Sequence, residues 1–255
     1  MLFEKGRKIS LFLLLVALSS ACGLVTSSGD SMSNADRAVL YLQMGTRYLE
    51  LDILDVAKEK LETARRLDSS NAEIYNALGS FYERIREYDE AADNFETAVS
   101  KDPNSYSIKS NYGRFLCERG QYKTGLAKLQ EAIDLPMNNR QWFALTHIGM
   151  CYVKQNNLKQ GEEYLRQALL LQPDYPPALE QMLIVSYKNR QYMSARAFLE
   201  RYLSFAKHSP ETLWYGFQNE RALGNGKLAE EYGAQLLSTY PASKEAKDIK
   251  TVLGK

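Results

Sequence analysis

AEIYNALGSFYERIREYDEAADNFETAVSKDPNS, residues 72–105, holds two helical patterns separated by a short break, and their spacing decides the fold. In the first half Tyr75, Leu78, Gly79 and Tyr82 fall three or four residues apart; in the second, Ala91, Phe95 and Ala98 do the same. That is the period of a helix with one buried face. Gly79 and Ala91 are small where two antiparallel helices must cross closely. Leu78, Tyr82 and Phe95 fill the space between those helices, and Pro103 stops the second before a new element begins.

The pattern recurs at intervals of 34 residues, which makes it a repeat. Residues 38–71 carry Tyr41, Met44, Gly45, Tyr48, Ala57, Leu61 and Ala64, with Ser69 where the proline would stand. Residues 106–139 keep Tyr112, Gly113, Leu116, Leu129 and Ala132, with Gly125 at the small site. Two inserted residues, Arg140 and Gln141, precede 142–175, which shows Ile148, Gly149, Tyr152, Gly161, Leu165, Ala168 and Pro173. The unit at about 176–209 is degenerate: Tyr192, Ala195 and Leu199 fit, but Leu183 replaces the first glycine. The last, about 210–243, retains Ala229, Leu236 and Pro241, and residues 243–253 form a short helix suited to capping the exposed end. These markers resemble the tetratricopeptide repeat. The expected fold is all-α, a superhelical solenoid of antiparallel helix pairs with about six repeats over 37–255 and a C-terminal capping helix.

Composition agrees with that expectation. Of 255 residues, 45% are hydrophobic and 25% charged, which excludes disorder, collagen and a polytopic membrane protein. Lys+Arg 32 against Asp+Glu 31 leaves a net charge of +1, without the electrostatic footprint of a nucleic-acid binder. The 17 Tyr, nearly twice the 9 Phe, suit amphipathic packing surfaces used many times over. Two His and three Cys offer little for metal or acid–base chemistry.

The N-terminus reads as an address. Lys5, Arg7 and Lys8 precede an apolar run from Ile9 to Ala21, which is short for a span of roughly 30 Å of hydrocarbon. It ends in Leu18-Ser19-Ser20-Ala21-Cys22, which resembles a bacterial lipobox: residues 1–21 would be a lipoprotein signal peptide and Cys22 the lipidated residue. Ser19 stands where leucine is commonest in that motif. An ordinary secretory signal or a short anchor helix are the other readings. Residues 22–36 are rich in Ser and Gly and read as a flexible tether. By the Gram-negative sorting rule, Gly23 after the cysteine implies the outer membrane.

In tetratricopeptide architecture the first helix of each pair lines a concave surface, and resemblance assigns positions 2, 5, 9, 12 and 13 of a unit to it. In the second unit these positions are Glu73, Asn76, Ser80, Glu83 and Arg84, all polar, and in the third they are Ser107, Ser110, Arg114, Cys117 and Glu118. The first unit differs, with Val39, Leu42, Thr46, Leu49 and Glu50. The fourth is also fairly apolar, with Phe143, Met150 and Val153. Apolar residues on a face that should be wet point to a partner, here an apolar peptide or an amphipathic helix. The competing reading is that they pack in the core or lie under the chain's own N-terminal segment. Thr46 and Ala77 occupy positions where a carboxylate-clamping repeat would need Asn, so that mode is not expected.

No catalytic, metal-binding or cofactor motif emerges, and neither an enzyme activity nor a small-molecule substrate is expected. His147 and His208 lie on different units with no ligand at metal spacing, and read as structural or exposed histidines. Leu223-Gly224-Asn225-Gly226-Lys227 is a turn between helices, without the spacing of a phosphate loop. Cys117 and Cys151 sit in the first helices of neighbouring units; a pair is open to them in an oxidising compartment, but buried free thiols are the favoured reading.

One stretch is more specific than the repeat. Leu213-Trp214-Tyr215-Gly216-Phe217-Gln218-Asn219-Glu220-Arg221-Ala222-Leu223-Gly224-Asn225, followed by Tyr240-Pro241-Ala242-Ser243, resembles the type IV pilus biogenesis/stability lipoproteins, the PilF/PilW pilotins. Asn219, and Tyr240 where Phe is usual, depart from that pattern. The resemblance implies an outer-membrane lipoprotein on the periplasmic face, anchored through Cys22, whose groove holds subunits of the pilus secretin and promotes their multimerisation. A subunit of an outer-membrane protein-assembly complex, or a peptidoglycan-enzyme scaffold, are the alternative roles for a repeat lipoprotein of this length.

Overall fold

The computed structural model describes residues 32–253, so the signal peptide, Cys22 and most of the tether lie outside the described residues. The described residues form thirteen helices and no strand. They pair as α1 (Asn34–Glu50) with α2 (Leu54–Leu67), α3 (Ala72–Arg84) with α4 (Tyr88–Lys101), and α5 (Tyr106–Glu118) with α6 (Tyr122–Asp134). After these come α7 (Gln141–Lys154) with α8 (Leu158–Leu171), α9 (Pro176–Lys188) with α10 (Tyr192–Leu203), and α11 (Pro210–Ala222) with α12 (Gly226–Thr239). The last helix, α13 (Lys244–Leu253), packs on α11 and α12. Ser243 caps α13 by accepting from the Ala246 N–H at 3.0 Å. The first helix begins at Asn34, so residues 34–36 are helical where the sequence reads as tether.

Each odd-numbered helix packs on its own partner and on the next odd-numbered helix, which gives a solenoid of stacked hairpins. Leu61, Phe95, Leu129 and Leu165 hold the same position in successive units, and all are fully buried. Removing each from water contributes roughly 1.5–3 kcal/mol. Opposite them stands a glycine. A Cβ on Gly113 would come within 2.8 Å of the Gly125 carbonyl oxygen and 2.7 Å of Leu129, so the two backbones touch there. The sixth unit inverts the arrangement: buried Phe217 takes the first glycine's place, and Gly233 takes that of the large residue. A Cβ on Gly233 would meet the Phe217 ring at 3.4 Å. The unit looks degenerate in sequence because large and small residues have exchanged sides of one contact.

A second repeat is invisible in residue types. Asp52, Arg86, Gly120, Asn156, Arg190 and Gly224 all have φ between 59° and 77°. They occupy the same position in the six units. In each, the following N–H closes back on the helix, as Glu87 to Tyr82 O at 2.9 Å, Gln121 to Leu116 O at 2.8 Å and Asn225 to Glu220 O at 2.8 Å. This is the helix-ending motif in which one left-handed residue turns the chain. The hairpins are alike because this turn is alike, whichever side chain it carries.

One expectation is corrected. Cys117 and Cys151 are joined in a disulfide between α5 and α7, with Cα atoms 5.5 Å apart, and are not free thiols. They stand at the twelfth position of the third unit and the tenth of the fourth, and the packing of α5 on α7 brings the two side chains together. Both residues are buried, and the bridge is part of a cluster with Leu129, Ala132, Ala144 and Ile148.

The stretch that carried the family resemblance is held together by buried polar contacts. Glu220 is 1% exposed and takes two bonds from Arg196 of α10. It also accepts from Asn219 at 3.4 Å and from Asn225 at 3.3 Å. Arg221 lies over the Phe217 ring, Gly224 makes the left-handed turn, and Asn225 caps α12. Tyr240 donates to the His208 carbonyl at 2.6 Å. These signature residues set the geometry of the last two units.

Candidate partner-binding groove

Val39, Leu42, Thr46 and Leu49 recur along one face of α1 at helical spacing, with Glu50 at its end. Val39 is 42% exposed. Leu42 and Leu49 are half-buried, packed against a cluster that includes Ile74, Leu78 and Phe81 of α3. Thr46 is half-buried, and exposed Glu50 pairs with Arg47 at 2.9 Å. The leucines of this strip thus support the core and still present apolar surface. Leu40, Leu51 and Ile53 of the same unit are also exposed. Their positions fall outside the repeat's concave register, which is why the sequence did not single them out.

The fourth-unit residues do not stay together. Met150 and Val153 line one recess of about 440 Å³ with Ile184 and Tyr215, flanked by Lys154, Lys188 and Glu211. Lys154 pairs with Glu118 at 2.8 Å. Glu211 makes no ion pair among the described residues, and burial, reinforced by nearby Glu180, raises its pKa. Burial pushes the Tyr215 hydroxyl up to about 12. Phe143 lies apart from this recess, with its ring edge-on to His147 at 4.5 Å. Val153 is 8% exposed, so it serves as floor more than as contact.

The two histidines are structural. His208 is half-buried, with Nδ1 3.3 Å from Thr212 Oγ1. His147 is buried, and neither ring nitrogen has a hydrogen-bond partner. Burial first, and then the nearby positive charge of Arg114, lowers its pKa to about 3. The folded chain thus holds the neutral ring, while the unfolded chain takes up a proton near 6.5. Stability from this site is complete above pH 6.5 and falls by about 1.4 kcal/mol per unit as pH drops below it, until the folded ring titrates near pH 3. The expected result is that His147→Leu flattens the acid side of the stability profile, measured by urea unfolding at a series of pH values. An unchanged profile would contradict it.

Among the described residues no group of His, Cys, Asp and Glu is placed to hold a metal ion, and no helix is long and apolar enough to cross a membrane. The arrangement offers surfaces and charges for binding a polypeptide.

Comparison with known proteins agrees with this architecture. Tetratricopeptide repeat models match residues 42–106, 82–140 and 144–175. The type IV pilus assembly protein PilF of Pseudomonas aeruginosa is 26% identical over 248 residues, covering 95% of this chain and 97% of the relative. The crystal structure of PilW, described as a widely conserved type IV pilus biogenesis factor, superposes with a TM-score of 0.71 at 28% identity, covering 85% of this chain and 98% of PilW. The Cut9–Hcn1 hetero-tetramer of APC/C shares the fold alone, with a TM-score of 0.74 at 16% identity over 84% of this chain and 42% of that one.

Proposed function

Because the chain belongs to the tetratricopeptide repeat family and is homologous to the type IV pilus biogenesis proteins PilF and PilW, we propose that it acts as a pilotin. In this reading a lipid on Cys22 anchors it to the periplasmic face of the outer membrane. The groove receives a subunit of the pilus secretin. Several acyl chains, each buried methylene contributing about 0.8 kcal/mol, would hold the protein at the bilayer. Binding there raises the local concentration of secretin subunits and favours ring assembly over aggregation. The mechanism requires no catalysis and no cofactor.

The observation that carries the reading is the partly exposed apolar strip of α1, built from Val39, Leu42 and Leu49. On a solvated helix these residues need a cover, and an apolar segment of another chain supplies one. Leu42→Asp is expected to leave membrane location and helix content intact while heat-stable secretin multimers disappear from immunoblots. Normal multimers with that variant would overturn the assignment of the strip.

A further inference from the structure

We propose that the rim of the groove at the second and third units is a carboxylate-recognition subsite for an acidic segment of the bound polypeptide. This rests on the reading that the groove holds a polypeptide at all, and it names the chemistry of that chain. A recess of about 430 Å³ is lined by Arg84, Arg86, Arg114 and Arg119, with Glu83 as the one carboxylate among its lining residues. On a chain of net charge +1, that is a local concentration of positive charge.

Two of the four guanidinium groups are already engaged. Arg114 is bonded to both carboxylate oxygens of Glu83, and Arg84 donates to Asp52 Oδ1 at 2.9 Å. The other two are exposed and make no ion pair among the described residues. Arg119 lies over the Tyr88 ring with its guanidinium carbon 4.0 Å from the centroid. Stacking of this kind fixes the plane of the group and leaves its in-plane N–H donors for a planar acceptor. Arg86 occupies the left-handed turn position of its unit, and Arg119 immediately precedes the equivalent Gly120 of the next. The same turn, repeated one unit along, thus brings two unpaired forks to one recess.

A carboxylate is the acceptor whose plane and bite match such forks. Its source follows from continuity with the α1 strip. Leu49 and Glu50 hold the same two positions in the first unit that Glu83 and Arg84 hold in the second. A chain seated on the apolar strip and running along the rim therefore meets the arginines next. The segment that fits carries an apolar anchor followed by Asp or Glu.

The test uses the detergent-solubilised full chain and a fluorescein-labelled hexaglutamate peptide, with hexaglutamine as control, followed by anisotropy. The expected result is binding of hexaglutamate alone, weakened as salt rises, and weakened at least about tenfold in Arg86→Glu/Arg119→Glu, with circular dichroism unchanged. Should that double variant lose its helix content, Arg86→Gln/Arg119→Gln is expected to lose affinity in the same direction. Equal binding of the two peptides, or no response to the folded variant, would overturn the proposal. So would competition by inorganic phosphate at the same concentration as free glutamate peptide, or stronger binding to phosphatidylglycerol vesicles than to hexaglutamate. Leu42→Asp is expected to leave hexaglutamate binding intact. Normal secretin multimers in that variant would overturn the assignment of the strip while the peptide result still judged the subsite.

Discussion

Replacing Cys117 and Cys151 together by alanine is expected to lower the stability of the solenoid by about 4 kcal/mol, through the loss of a cross-link spanning 34 residues. The bridge joins first helices of adjacent units, so it restrains the denatured chain at the centre of the array. Both sulfurs are buried, and alanine leaves a small void without stranding a polar group. In a stacked fold whose stability is largely the sum of neighbour contacts, weakening the central interface divides the array in two. The measurement is urea unfolding of the native and doubly substituted chains, with a further comparison under a reducing agent. A change below about 1 kcal/mol would show that the bridge adds little to the contacts already there.

Removal of Glu220 is the second large effect. Glu220→Ala is expected to cost about 3 kcal/mol, because it strips the carboxylate from Arg196 and leaves Asn219 and Asn225 without their common acceptor. Arg196 retains partial access to water, with 29% of its side chain exposed, and this keeps the loss towards the lower end for a broken buried pair. The damage should be local. Amide exchange is expected to quicken in α10 to α13 and to stay unchanged in α3 to α6, since each unit touches only its neighbours. A double-mutant cycle with Arg196→Ala isolates the pair. Uniform loss of protection along the chain would contradict this account of the motif.

The fold was largely legible in residues 72–105, because close helix crossing demands small residues and those recur at a fixed interval. What the sequence concealed has physical causes. The sixth unit looked weak because Phe217 and Gly233 exchange the large and small sides of one contact, which a position-by-position template scores as two failures. The left-handed turn residue recurs in all six units, yet Asp, Arg, Asn and Gly each fill it, so only backbone geometry reveals it. The disulfide was misread because the two cysteines were treated as separate core residues. Their placement on the first helices of adjacent, stacked units was the available signal.

The groove was less legible than the fold. Assigning concave positions by template treated Cys117 and Val153 as groove residues, yet packing against the next unit buries both. Phe143 parts from Met150 and Val153 because its ring packs edge-on against His147 of its own helix, away from the recess they line. The arginine rim was not assembled from sequence because Arg86 and Arg119 sit at the turns, outside the five positions taken to line the concave face.

The most direct measurement of the central claim is deletion of the gene followed by immunoblotting of outer-membrane fractions for heat-stable secretin multimers. The account predicts that multimers vanish, that secretin monomer remains, and that the native chain supplied in trans restores the rings. Multimers of normal amount and location in the deletion strain would contradict it.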